Sequence, residues 1–118
     1  MDKKITEILE KFKFALQAQG VKVSRFILFG SCASKKTNQE SDIDVAVVSD
    51  NFKDMNLLKR LELIGLALAK AKIMEPIEAL GYTEEEFASK GQGTFVGDEI
   101  KSKGIQARLS DSNDEQVI

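Results

Sequence analysis

Two short runs of apolar residues, each bordered by polar groups at one end, constrain the fold of this chain most strongly. The first run covers residues 26–29 and ends abruptly at Gly30, and the second covers residues 45–48 and closely follows Asp42. Short, continuously apolar runs that contain aromatic and β-branched residues are typical of strands in a buried sheet. The sequence therefore predicts two buried strands, over 21–29 and 42–48, joined by a polar loop.

Helical spacing and capping signals predict the elements around these strands. An amphipathic helix is expected between Asp2 and Gly20, because apolar residues recur there at helical spacing: Ile5, Ile8, Leu9, Phe12 and Leu16. A long helix over 52–72, a third strand over 73–80 and a short helix opened by the capping box of Thr83 and Glu86 follow. Pro76 places the third strand at an edge or at a bulge. Further along the chain, a helix over 95–103 and a short strand over 105–109 are expected. The fold class predicted is α/β (α+β), a small mixed sheet flanked by helices.

The long helix is expected to present one main apolar face, which contains Leu57, Leu58, Leu61, Ile64 and Leu68. Leu63 and Leu66 fall on the other side of the helical wheel. They suggest a second buried surface, which favours a homo- or hetero-oligomer only modestly because single exposed leucines are ordinary.

Composition excludes several kinds of chemistry. The 118 residues include no histidine and one cysteine, which excludes a Ser-His-Asp triad, histidine-bound metal and an intrachain disulfide. The net charge of −2 does not favour strong nucleic-acid binding. No apolar run approaches the roughly 18 residues of a membrane span, and no leader is evident, so a cytoplasmic protein without membrane contact is expected. One domain over 1–109 and a polar, disordered tail over 110–118 are predicted.

The polar groups at the strand ends suggest a phosphate and metal site. Asp42 and Asp44 are two positions apart in a strand, so their carboxylates are expected to point to the same side. Paired carboxylates are ligands that Mg²⁺ prefers, with waters and substrate phosphates completing its coordination. Gly30 allows close approach of backbone to a ligand, and Ser31 adds a hydroxyl donor. Together they predict a site for a nucleoside triphosphate with Mg²⁺.

The two segments Phe29-Gly30-Ser31-Cys32-Ala33 and Ser41-Asp42-Ile43-Asp44-Val45 resemble the motif of the polymerase-β-type nucleotidyltransferase superfamily. The form they resemble most is the minimal nucleotidyltransferase (MNT) group, and the resemblance extends through residues 77–87. It implies a nucleotidyltransferase fold in which Gly30, Ser31 and Ser41 belong to the nucleotide-binding part of the motif. It also implies that Asp42 and Asp44 bind two Mg²⁺ ions and act in catalysis.

The resemblance also implies a third catalytic and metal-binding carboxylate on a later strand. Glu78 and Glu75 are the alternatives, and Glu78 is preferred because it lies five residues before the Thr83 that opens the next helix. Two positions depart from the family pattern. Glu78 stands where aspartate is common, and Ser34-Lys35 replaces a frequent Arg-Gly. Lys35 or Lys36 is a substitute phosphate-binding charge, or both are solvated loop residues.

The function implied by the resemblance is transfer of a nucleoside monophosphate, AMP from ATP, to a hydroxyl acceptor. For the MNT group it further implies an antitoxin that pairs with a helical HEPN-domain toxin and modifies it. The alternative is a nucleotidyltransferase-fold module with weak or no catalysis that neutralises or scaffolds a partner by binding alone. The two departures from the family pattern keep this alternative open.

Overall fold

The computed structural model describes residues 3–30, 43–89, 97, 100, 104–107 and 109. The elements follow in the order α1 (Lys3–Ala18), β1 (Arg25–Phe29), β2 (Ile43–Val48), a short 3₁₀ helix (Asp50–Phe52), α2 (Leu57–Lys70), β3 (Ile77–Tyr82), α3 (Glu84–Ser89) and β4 (Ile105–Gln106). Along the described ranges, no helix combines the length and the hydropathy required to cross a membrane. The predicted α/β fold class, a small mixed sheet with flanking helices, is confirmed.

The four strands form one sheet in the order β3-β2-β1-β4. β1 pairs antiparallel with both of its neighbours, whereas β2 and β3 are parallel and are joined through α2. A parallel pair needs a long crossover connection, which the chain between β2 and β3 provides. The strand order places β3 at an edge of the sheet, one of the two positions that Pro76 suggested.

The sheet has two apolar faces. The first packs against α1 and α2 and contains Phe26, Leu28, Val45, Val47 and Ala79 together with the apolar face of α1: Ile8, Leu9, Phe12 and Leu16. The second face contains Ile27, Phe29, Ala46 and Val48 and packs against Phe87 of α3. Alternate residues of each strand point to opposite faces, which explains why these strands are almost continuously apolar.

α1 ends as the sequence predicted. Gly20 has a φ of +87°, and its N–H donates to the carbonyl oxygen of Gln17 at 3.0 Å. The N–H of Val21 donates to the carbonyl oxygen of Leu16 at 2.9 Å. Glycine suits this left-handed position, where an L side chain is disfavoured. The Asp2 cap lies outside the described residues.

α2 corrects the predicted helix over 52–72 in both its bounds and its buried face. The helix covers Leu57–Lys70, and Asn56 caps it by accepting from the N–H of Lys59. The buried residues are Ile64 and Ala67, while Leu63, expected on the other side of the helix, packs against the core. Of the expected apolar face, Ile64 and Leu68 do pack in or against the core, whereas Leu57, Leu58 and Leu61 are exposed, so the prediction was wrong for the first half of the helix.

β3 also begins and ends later than predicted. It covers Ile77–Tyr82 rather than 73–80, and its pairing with β2 begins at Ile77. Pro76 lies before the strand, where its carbonyl oxygen accepts from the N–H of Ile43 at 2.9 Å. Proline has no N–H to give to a ladder, which accounts for its place before the strand rather than within it. Similarly, β1 covers only Arg25–Phe29 of the expected 21–29.

Arg60 holds α2, β3 and α3 together. Its guanidinium donates to the carbonyl oxygens of Met55, Gly81 and Phe52 at 3.0–3.1 Å. It also makes a two-pronged contact with the carboxylate of Glu86, at 2.6 and 2.8 Å. The Arg60 side chain is only 11% exposed. A forked, largely buried arginine of this kind fixes the rotation of α2 about its own axis.

The capping box that opens α3 is confirmed. The N–H of Glu86 donates to Oγ1 of Thr83, and the N–H of Thr83 donates to Oε1 of Glu86, both at 3.0 Å. These reciprocal bonds satisfy N–H groups that a helix start otherwise leaves unpaired. Glu86 therefore serves both the cap of α3 and the contact with Arg60.

Candidate functional site

The sheet register places Asp44 beside Glu78. Asp44 of β2 is the register partner of Glu78 on the parallel strand β3 and of Phe29 on the antiparallel strand β1. Register partners on neighbouring strands point to the same face, and their strands lie about 4.8 Å apart. The alternation along β2 puts Asp44 on the second sheet face, with Ala46 and Val48, opposite the face that α1 and α2 cover. Glu78 is exposed and Asp44 is half-buried.

Gly30 closes this site from the end of β1. Its φ of +66° is a left-handed conformation that favours glycine. A Cβ built at Gly30 would lie 3.3 Å from Cγ of Asp44 and closer still to Oδ2. The absence of a side chain therefore lets the Asp44 carboxylate lie directly against the backbone of the turn. The predicted association between the glycine turn and the acidic strand end is present in the structure.

Only some of the predicted site residues lie within the described part of the chain. Gly30, Asp44 and Glu78 lie within it, and the fold brings them together at the same end of the neighbouring strands β1, β2 and β3. Four predicted residues lie outside it: Ser31, Lys35, Ser41 and Asp42. Their roles, and the expectation that Asp42 points to the same side as Asp44, stay predictions.

The structure places the two alternative carboxylates, Glu78 and Glu75, in different surroundings. Glu78 lies within β3 and in register with Asp44. Glu75 precedes the strand, and its carboxylate lies 4.0 Å from Nζ of Lys4 on α1. Of these two carboxylates, Glu78 is therefore the one that the sheet places next to Asp44. Its catalytic and metal-binding role is still a prediction.

The donor set suits a hard divalent cation. Two neighbouring carboxylates repel each other when both are ionised, and a cation between them removes that repulsion. Carboxylate oxygens are the ligands that Mg²⁺ prefers. Within residues 3–30 and 43–89 and the few further described positions, no group of three potential metal ligands is found. The described residues thus supply a pair of candidate ligands, to which Asp42 would add a third.

Charged residues at the other end of the same sheet face were not predicted. Arg25 donates to the Glu84 carboxylate at 2.9 Å and lies 5.2 Å from the ring centroid of Phe87. The same region contains Tyr82, whose pKa is raised by burial and, to a lesser extent, by the negative charge of Glu86. The hydrogen bond from Arg60 to Glu86 likewise raises the pKa of Arg60. These contacts join distant segments, so no local sequence pattern could have indicated them.

Taken together, the fold and the site define a mixed α/β domain with an acidic pair beside a glycine turn, an arrangement suited to phosphate-bearing ligands and a divalent cation. The comparison with family models then identifies the family: the nucleotidyltransferase domain matches residues 5–102. The chain belongs to this family. The family predicted from the two motif segments is thereby confirmed.

Solved structures share the fold. A candidate nucleotidyltransferase from Sulfolobus solfataricus aligns over 87% of this chain and 78% of its own, with a TM-score of 0.62 and 16% identity. A toxin–antitoxin structure with AMP-PNP aligns over 86% of this chain and 73% of its own, with a TM-score of 0.52 and 19% identity. At these identities the likeness concerns the fold. No curated protein sequence matched the chain.

Proposed function

We propose that this protein transfers a nucleoside monophosphate, AMP from ATP, to a hydroxyl group of a partner protein. The family supports nucleotidyl transfer. The observation that carries the proposal is the register of Asp44 with Glu78 beside Gly30. This register puts two carboxylates and the glycine turn at the same end of adjacent strands, where a triphosphate and its cation would meet.

In this proposal Asp44 and Glu78, with Asp42, hold Mg²⁺, and two ions are expected. Bound Mg²⁺ supplies charge neutralisation for the triphosphate and for the phosphorus atom that is attacked. The protein's own contribution is to fix its ligands on rigid strands. Asp44 pairs with β1 on one side and with β3 on the other, which restrains its backbone next to Glu78.

The phosphates would lie over the turn that follows β1. Gly30 lets the backbone approach a phosphate closely, while Ser31, Ser41 and Lys35 are the proposed side-chain donors. Lys35 would act as a point charge. The positive φ of Gly30 keeps the turn in a conformation that most residues resist.

The transfer is a displacement at the α-phosphorus. The acceptor hydroxyl oxygen attacks this phosphorus, the bond to pyrophosphate breaks, and the hydroxyl proton passes to a carboxylate. Glu78 is the proposed acceptor of that proton, because it is exposed and adjacent to Asp44. Most of the rate enhancement is expected from positioning and charge neutralisation.

A partner protein is proposed as the source of the hydroxyl. One structure with the same fold is a toxin–antitoxin assembly with AMP-PNP. This neighbour supports an antitoxin role as the proposal for the present chain. That the partner is a helical HEPN-type toxin, and that both act in the cytoplasm, are proposals that rest on the sequence resemblance and on the sequence alone.

The test is incubation of this protein with Mg²⁺, ATP labelled at the α-phosphate and, as the candidate partner, the protein encoded by the neighbouring gene. We expect label on the partner protein, loss of labelling with Asp44→Asn or Glu78→Gln, and full labelling with Glu75→Gln as the matched control. ATP labelled at the γ-phosphate should transfer nothing. Binding of the partner without transfer of α-label would instead establish the alternative, a module that neutralises by contact.

A further inference from the structure

One face of α2 is apolar and is not covered by the described part of the protein. Leu57, Leu58 and Leu61 expose 65%, 64% and 43% of their surface. Gly65 lies on the same face, and a Cβ built there would meet nothing within 4 Å. Single exposed leucines are ordinary, but three neighbouring ones on a helix form a patch of the kind found at interfaces. We call Leu57, Leu58, Leu61 and Gly65 the leucine face.

The order of large and small residues along this face makes it complementary to itself. Positions four apart form a ridge, which contains Leu57 and Leu61 in its first half and Gly65 and Ala69 in its second half. When two such helices pair antiparallel about a two-fold axis, Leu61 meets Gly65 of the second copy and Leu57 meets Ala69. Each bulky residue then lies opposite a small one, which makes the face complementary to itself, as a two-fold interface requires.

Charges beyond the two ends of the helix complement each other in the same antiparallel arrangement. Asp54 precedes α2, Lys72 follows it, and both are exposed. An antiparallel pair brings the start of one α2 beside the end of the other, so Asp54 of one copy comes near Lys72 of the other, and the two-fold axis repeats this pair at the other end. A parallel arrangement of the two helices would instead place like charges together.

We propose that the leucine face of α2 pairs antiparallel with the same face of a second copy of this chain. The resulting dimer leaves the candidate site accessible, because Asp44 and Glu78 lie on the sheet face opposite α2. The proposal does not depend on the reaction, and it accounts for the exposed leucines, the open glycine and the two terminal charges together.

The first test is the oligomeric state by sedimentation equilibrium across micromolar concentrations. We expect the wild-type protein to dimerise reversibly and Leu61→Asp to weaken the dimer by about a hundredfold or more, since a charge would be buried opposite Gly65. Leu66→Asp is the matched control, because Leu66 is 44% exposed but lies off the leucine face. It should leave the dimer unchanged. Far-ultraviolet circular dichroism checks that both variants are folded.

The second test exchanges the terminal charges. Asp54→Lys and Lys72→Asp should each weaken the dimer by about three- to tenfold, because exposed ion pairs are weak. An equimolar mixture of the two variants should form a heterodimer with wild-type affinity, since both ends then pair opposite charges. A monomeric wild type, equal effects of Leu61→Asp and Leu66→Asp, or no recovery in the mixture would each overturn the proposal. A wild-type monomer that binds a different protein through this face would identify that protein as the occupant instead.

Discussion

Replacing Gly30 with alanine tests how the glycine turn supports Asp44. Gly30 and Gly20 both have positive φ values, +66° and +87°. They differ in what surrounds them. A Cβ at Gly30 would collide with the Asp44 carboxylate, whereas nothing lies within 4 Å of a Cβ at Gly20. Gly20→Ala is therefore a matched control that reproduces the backbone cost without the collision.

The magnitudes follow from these two contributions. An L side chain in the left-handed region costs about 1–2 kcal/mol, and both variants should lose that much free energy of unfolding. Gly30→Ala must also push the Asp44 side chain away by about 1 Å, out of its preferred rotamer, at a further cost of about 1 kcal/mol. A displacement of about 1 Å at a catalytic group can lower a rate by about a hundredfold.

The assays are urea unfolding followed by circular dichroism, and the rate of α-label transfer in the experiment above. We expect Gly30→Ala to lose about 2–3 kcal/mol and most of its activity. Gly20→Ala should lose about 1–2 kcal/mol and keep its activity. Equal transfer rates for the two variants under conditions where both are folded would refute the argument that Gly30 positions Asp44.

Three further substitutions test the contacts that hold the fold around the site. Arg60→Met should lower the free energy of unfolding by about 2–3 kcal/mol, because several carbonyl groups and a carboxylate lose their donor. Lys59→Met is the control and should change the urea midpoint little. A similar loss in both variants would contradict the role given to Arg60. Thr83→Ala should lower the free energy of unfolding in urea by about 1 kcal/mol, and Thr83→Ser should lower it much less because serine keeps the capping hydroxyl. An equal loss in both variants would show that the cap bonds do not stabilise the fold. Tyr82, whose pKa is raised from an ordinary value of 10.0, is protonated more readily when folded. Its contribution to stability is therefore complete below pH 10 and is lost as the pH rises through the raised pKa, so the melting temperature of wild type should fall more steeply above pH 10 than that of Tyr82→Phe; parallel curves would argue against it.

The strands and their polar ends could be predicted from the sequence because their signals are local. Alternation along β2 and the abrupt stop at Gly30 together indicate which residues meet at the edge of the sheet. The register of β2 with β3 could not be predicted in this way, because pairing across the sheet depends on the whole crossover. The spacing between Glu78 and Thr83 matches the family pattern and so favours Glu78, and the structure places that residue beside Asp44.

The buried face of α2 could not be predicted from hydrophobic periodicity. Leucines occur on more than one side of this helix, so several rotations about its axis would bury a comparable apolar area. Arg60 favours one rotation, because its guanidinium must reach Glu86 and the carbonyl oxygen of Gly81. That rotation turns Leu57 and Leu58 outward.

The extension of β3 through Gly81 has a similar non-local cause. The bounds expected from the sequence, 73–80, end the strand one residue before this glycine. In the structure a Cβ at Gly81 would lie 2.8 Å from the ring of Phe52. The glycine therefore allows Phe52 to pack against the strand, and the strand continues to Tyr82.

The most direct test of the central claim, that Asp44 and Glu78 jointly hold the cation of a bound nucleotide, is the melting temperature with and without Mg²⁺ and ATP. Ligand at 100 times its dissociation constant should stabilise the wild-type protein by about 2.7 kcal/mol. We expect Asp44→Asn and Glu78→Gln each to abolish most of this shift and Glu75→Gln to retain it. An undiminished shift in Asp44→Asn and Glu78→Gln, or no shift in the wild type, would show that these two carboxylates do not jointly hold the cation of a bound nucleotide.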